Sequence, residues 1–278
     1  MTSILRHIGT RTGIAIGLAM LLALVLAAAF ANQLYPQDPW QMAGAPMLKP
    51  FEDPEFILGT DMLGRDVAAG LVHGARVSLL VGAASTLFAM VVGIAFGALA
   101  GYYGGAIDDV LMRITEFFQT IPTFVFALVV VATLRPSLWS IIAAISLVSW
   151  PPVARLVRGQ FMSLKNREFV QAAVALGESD TRIMTRQIMP NTLSPVIAMA
   201  ALMVATAILT ESAISFLGLG DPNMMSWGYM IGVARSSIRQ AWWLSFMPGL
   251  VIFLTVLMIN LVGQGLSDAF DPRQQARS

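Results

Sequence analysis

The chain has 278 residues, 56% of them hydrophobic and 12% charged, with a formal net charge of +1 and no cysteine. Soluble domains carry about 25% charged residues, so this composition excludes that class and predicts an all-α membrane protein. The small net charge gives no footprint for nucleic acid, and the lack of cysteine excludes disulfides and thiolate metal sites.

A span needs about 20 apolar residues to cross the bilayer core. Charge-poor windows predict six of them, at about 13–31, 78–101, 117–134, 137–154, 193–217 and 244–266. Residues 1–12 then form a short N-terminal arm, and 13–278 a single membrane domain. With the N-terminus inside, eleven basic residues fall on the inner side and six on the outer, which places both termini in the cytoplasm.

The first span follows Arg6 and Arg11. Ala29-Phe30-Ala31 has the small-residue form of a signal-peptidase site, but the apolar run is longer than a signal peptide's, which favours a retained helix. Residues 32–75 form an outside segment punctuated by Pro36, Pro39, Pro46, Pro50 and Pro54. Within it, Asp61, Arg65 and Asp66 are spaced for a local charge network, serving either a self-held turn or a partner contact. The second span carries Gly93, Gly97 and Gly101, a small-xxx-small repeat that favours close helix packing. Asp109 and Arg113 are then spaced for an i,i+4 pair, and Pro122 is placed to kink the third span. Trp150-Pro151-Pro152 predicts a break at the end of the fourth.

A polar loop follows over 155–191, with Arg155, Arg158, Lys165, Arg167, Arg182 and Arg186. Residues 168–176 favour helix, Gly177 ends it, and Ser179 or Asp180 caps a second helix running to about Met189. Such a helix–turn–helix with small side chains suits a docking knob; the other reading is a basic loop lying on anionic lipid. Beyond it, the fifth span contains Glu211 beside Ser212, an ionisable group among apolar neighbours. Such a group lines a pathway, binds a partner's cation or bonds to a neighbouring helix. Trp242 and Trp243 mark the outer interface before the last span.

The spacing Gln171-Ala172-Ala173, then Gly177 and Pro190, resembles the EAA loop of ABC-importer permeases, with Gln171, Gln187 and Met189 departing from its Glu, Ile and Leu. Leu58-Gly59-Thr60-Asp61-Met62-Leu63-Gly64-Arg65-Asp66 resembles the signature of peptide and nickel importer permeases, C-type partner of the pair. Ser215-Phe216-Leu217-Gly218-Leu219-Gly220, Ser226-Trp227-Gly228 and the ending Asn260 to Pro272 resemble the same family, with Gln264 and Ser267 departing in the tail. The resemblance covers about residues 55–272. It implies a type I ABC-importer permease fold in a bacterial or archaeal cytoplasmic membrane. It implies as partners a second homologous permease, two ATPase subunits that hold ATP and Mg, and an extracytoplasmic substrate-binding protein, with no cofactor on this chain. Gln171, Ala172, Ala173, Leu176, Gly177, Glu178 and Pro190 are then expected at the ATPase contact. Asp61, Arg65, Asp66 and Trp227 are expected to face the binding protein, and Glu211 and Ser212 the pathway, for di- or oligopeptides or a related small solute.

Enzyme chemistry is poorly served. Lys49 and Lys165 each follow leucine, so no Gly-Lys-Ser/Thr phosphate loop exists. Gly218-Leu219-Gly220-Asp221 has the Gly-x-Gly-Asp of intramembrane aspartyl proteases, but the Tyr-Asp partner is missing. The alternative transport reading is an ion-coupled secondary transporter centred on Glu211, though no repeat between halves supports it.

Overall fold

The computed structural model describes residues 2–269, as helices joined by one long irregular segment. Met1, residues 270–278 and with them the Asp271-Pro272 ending lie outside the described residues.

Helix α1 (Thr2–Ala29) and a single turn, α2 (Ala31–Leu34), lead into the irregular segment. Helix α3 (Val67–Tyr103) starts well before the expected span. Arg76 looked like a span boundary because charge is costly in lipid. Here its guanidinium donates to the Ala28 carbonyl, the Ala29 carbonyl at 2.9 Å and Asn32 Oδ1 at 2.7 Å. The terminal carbonyls of α1 lack intrahelical donors, so the cation satisfies them and the helix passes through.

Helices α4 (Gly105–Thr120) and α5 (Thr123–Leu134) meet at a bend of 82°. The kink expected at Pro122 in the third span is thus a full break, and the span is divided there. Pro122 forces Ile121 into extended geometry (φ −89°, ψ 130°), which ends α4, and α5 is only 12 residues, ~18 Å, long. Asp109 and Arg113 are not the pair that forms. Instead Arg158 on α6 (Leu138–Lys165) grips Asp108 with two bonds of 2.5 and 2.6 Å, tying α4 to α6.

The break expected at Trp150-Pro151-Pro152 does not occur; α6 runs unbroken to Lys165. Tertiary packing overrides the two prolines. Gly93, Gly97 and Gly101 lie against this stretch so closely that a Cβ at Gly97 would sit 2.4 Å from the Ala154 carbonyl. Val153, Ala154, Val157 and Phe161 are fully buried there, in the most extensive helix contact of the chain.

After α6 come α7 (Glu168–Ala175) and a rod of 40 residues, Asp180–Leu219. The rod comprises α8 (Asp180–Arg182), a π-helical turn (Ile183–Ile188), a 3₁₀ turn (Met189–Thr192), α9 (Leu193–Ile214) and a closing π turn with Gly218 left-handed at φ 86°. The second loop helix thus does not stop before Pro190 but continues into the fifth span. Proline is tolerated because it opens the 3₁₀ turn, where its missing N–H has no helical acceptor to lose. Short α10 (Trp227–Ala234) and long α11 (Trp243–Ala269) complete the fold.

Among the described residues four helices are long and apolar enough to cross a membrane, or five counting α4–α5 as one bent span; the apolar part of α1, Gly13–Ala29, is shorter. Large apolar side chains such as Leu87, Phe88, Val91 and Phe253 point outward from the bundle. That surface suits lipid and not water.

Candidate functional sites

The first site is the knob between α6 and the rod. Ala-rich α7 ends at Gly177, whose φ of 75° is open to glycine at little cost. Gly177 N donates to the Val174 carbonyl at 3.0 Å and Glu178 N to that of Ala173 at 3.1 Å, a Schellman closure that fixes the turn. Val170 and Ala173 pack with Ile183, Ile188 and Phe161 in one buried cluster. Ala173, expected on the contact face, therefore points inward. The exposed face carries Ala172 and Gly177 with Phe169, Val174 and Leu176, the last 84% exposed. Phe169 and Val174 were missed because helix propensity does not say which face turns outward. Gln171 is exposed, its amide donating to the Asn166 carbonyl at 3.4 Å. Glu178 faces Arg182 at 3.6 Å, and Pro190 is exposed on the adjoining turn.

A side-chain bond from α3 reaches the knob, and the end of α6 braces the residue that makes it. The Tyr102 hydroxyl, on α3, donates to Asp180 at 2.7 Å, and Lys165 donates to the Tyr102 carbonyl while lying over its ring.

The second site is Glu211, 2% exposed and enclosed by hydroxyls. Ser215 and Ser226 each donate to Oε1 at 2.7 Å, and Ser212 reaches Oε2 at 3.4 Å. Ser226 also caps α10 by accepting from Tyr229 N at 3.0 Å. Gly228 and Gly232 leave no room for a side chain against Ser212 and Ser215. Glu211 and Ser212 thus join α9 to α10 and do not face an open path. The serine spacing, invisible to a search for charges, is what the carboxylate needs: burying it without donors would cost several kcal/mol. An open cleft of about 360 Å³ lies elsewhere, between α5, α6 and α9, where Thr123, Ser149, Thr206 and Thr210 interrupt apolar walls.

On the outside segment, Asp61 accepts from Leu63 N and Arg65 N at 2.8 and 2.9 Å, holding its own turn. Arg65 lies over the Trp40 ring at 4.8 Å, and Asp66 caps α3 by accepting from Ala68 N at 2.8 Å. Burial pushes the Asp66 carboxyl above its ordinary range, and pushes the nearby Tyr35 phenol up with help from Asp66's charge. Trp227 is fully buried, its indole donating to the Leu71 carbonyl at 2.9 Å, so it has no surface for a partner. It was expected at the binding protein from the resemblance of Ser226-Trp227-Gly228, and a string of residues does not say which of its side chains the fold buries.

Residues 93–276 match the family described as binding-protein-dependent transport system inner membrane component. The chain is 40% identical over 252 residues to a di/tripeptide transport permease, DppC, of Pseudomonas aeruginosa, covering 88% of this chain and 83% of that protein. It is 40% identical to the dipeptide permease DppC of Bacillus subtilis, covering 77% and 68% respectively. It is also 39% identical to the glutathione permease GsiD of Pectobacterium atrosepticum, covering 78% and 72%. In three dimensions it resembles a chain of the inward-facing MetNI methionine ABC transporter, with TM-score 0.61 at 18% identity, over 72% of this chain and 96% of that one. The chain belongs to the family of inner-membrane components of binding-protein-dependent transport systems, and is an integral membrane permease component rather than an enzyme.

Proposed function

We propose that this chain is one of two homologous permease subunits of an ABC importer for di- or oligopeptides or a related small solute, each chain crossing the membrane six times with both termini inside. Two ATPase subunits, holding ATP and Mg, dock on the knob, and an external binding protein delivers the solute. The peptide assignment rests on the names of the DppC relatives; the glutathione relative is itself named for a peptide-like solute.

The observation that carries the coupling is the knob's build. Its exposed apolar residues sit on a turn closed by backbone bonds, and the turn opens directly into the 40-residue rod. Movement imposed on Leu176 and Gly177 by an ATPase would therefore tilt α9 as a body, widening or closing the cleft it shares with α5 and α6. The second permease would complete that cleft into a pathway. Exposed apolar side chains on a water-facing loop favour a protein partner over lipid, since α7 is flanked by exposed Arg167, Glu168, Asp180 and Arg182 of both signs.

Nothing lies within 4 Å of a Cβ placed at Gly177, so a bulky residue there obstructs a partner without touching the core, though at φ 75° it also strains the turn; Leu176, in the right-handed region, tests the contact without that strain. Gly177→Trp and Leu176→Asp are expected to abolish import and lower ATPase co-purification at least tenfold, with the protein still in the membrane. Normal uptake by both variants would refute the coupling role. The ion-coupled reading has no support from the site, because Glu211 is sealed by serines.

A further inference from the structure

We infer that the loop tip Phe51–Ile57 is the surface on which the external binding protein docks, through an apolar socket with a basic rim; this rests on the importer reading above.

The tip immediately precedes α3, with Val67 N donating to the Gly59 carbonyl at 3.1 Å, whereas the knob is held by Tyr102 near the other end of that helix. The 37-residue helix separates the two sites by ~50 Å. A partner on the knob cannot reach the tip, and a partner on the tip stands on the opposite side of the membrane.

The tip is built and not slack. Thr60, fully buried, donates to the Ala45 carbonyl and accepts from Leu48 N at 3.0 Å, and Phe51 N donates to the Ile57 carbonyl at 3.0 Å. Its two phenylalanines are divided: Phe56 is 5% exposed and packs beneath Gly44, while Phe51 is 78% exposed. The inward apolar role is already filled. Phe51 is moreover held at φ 63°, a left-handed conformation disfavoured for an aromatic residue. Strain on an exposed residue that contributes nothing to the core marks a contact position. Ile57, 55% exposed, extends the apolar surface.

Charge selects the partner. Glu52 and Glu55 are exposed and Asp53 partly so, against one exposed cation, Lys49. An acidic collar is repelled by anionic lipid headgroups, which disfavours a membrane anchor, and attracts a basic rim on a protein.

The test uses the assembled importer in nanodiscs and the purified binding protein of the same system. Phe51→Gly removes the ring and accepts the positive φ, so it tests contact without loss of fold. The triple change Glu52→Gln, Asp53→Asn, Glu55→Gln removes the collar's charge while keeping the side-chain oxygens that accept from Lys49 N and Glu55 N. Each is expected to weaken binding at least tenfold, the triple variant through slower, salt-insensitive association, with ATPase assembly unchanged. A photocrosslinker at position 51 is expected to capture the binding protein. Binding within twofold of wild type in both variants, or crosslinks to lipid alone, would overturn the inference. Wild-type importer that assembles with ATPases yet binds no external protein would overturn it too, leaving the knob assignment intact. Failure of ATPase assembly in wild type would instead strike the importer reading itself.

Discussion

The hydroxyl of Tyr102 donates to Asp180 at 2.7 Å, fastening the last turn of α3 to the start of the rod. One bond thereby joins the helix that packs on α6 to the knob that leads into α9. A hydrogen bond of this kind contributes about 1 kcal/mol net. Tyr102→Phe is expected to raise amide exchange across Glu168–Arg182 about fivefold while leaving the α3–α6 core protected. Hydrogen-exchange mass spectrometry in detergent checks this; unchanged exchange would show that the bond does not hold the knob.

Glu211 holds α10 to α9 through neutral donors, so shape and acceptor capacity matter more than charge. Glu211→Gln keeps an acceptor oxygen and is expected to retain near-normal import. Glu211→Ala leaves two buried serine hydroxyls without their acceptor and is expected to cost about 2 kcal/mol. Thermal melts and uptake assays separate the two. Complete loss of import with Gln would revive a role for the charge.

Glycine has different jobs on α3 and α6, at their contact and away from it. Gly97→Ala would press a methyl into the Ala154 carbonyl and is expected to cost about 3 kcal/mol, by overpacking. Gly159 on α6 is exposed with nothing within 4 Å of its Cβ. Gly159→Ala is expected to stabilise by about 0.5–1 kcal/mol through helix propensity alone. Equal melting shifts for the two would contradict the close approach at Gly97.

Asp66 caps α3 but is partly desolvated, which raises its folded pKa above the unfolded value. A raised carboxyl favours the fold below the ordinary aspartate range, and that contribution is lost as pH rises through the folded pKa. Asp66→Asn keeps the cap and escapes ionisation, so it is expected to match wild type at acid pH and to gain on it toward neutrality. Asp66→Ala loses the cap and is expected to cost about 1 kcal/mol at acid pH, and less as pH rises, because it too escapes the ionisation that weakens wild type. Melting curves at pH 4 and pH 7 check the sign; an Asn variant that falls behind wild type as pH rises would reverse it.

Composition and the apolar windows were enough to place this chain among helical membrane proteins, because lipid forces backbone bonds to be satisfied within helices, and the string from Gln171 to Pro190 carried the resemblance to importer permeases. The glycine repeat likewise announced its packing face, and Gly177 its left-handed turn, since both depend on a missing side chain and on local geometry. What sequence could not decide is where a helix stops when its cost is met elsewhere. Arg76 is absorbed by the carbonyls of α1, Pro151 and Pro152 by packing against α3, and Pro190 by a change of helical turn, each a long-range or register effect. Nor could it decide which way a side chain faces. Ala172 is exposed where Ala173 is buried, and Phe51 is exposed where Phe56 is buried, because facing is set by neighbours that only the tertiary structure brings together.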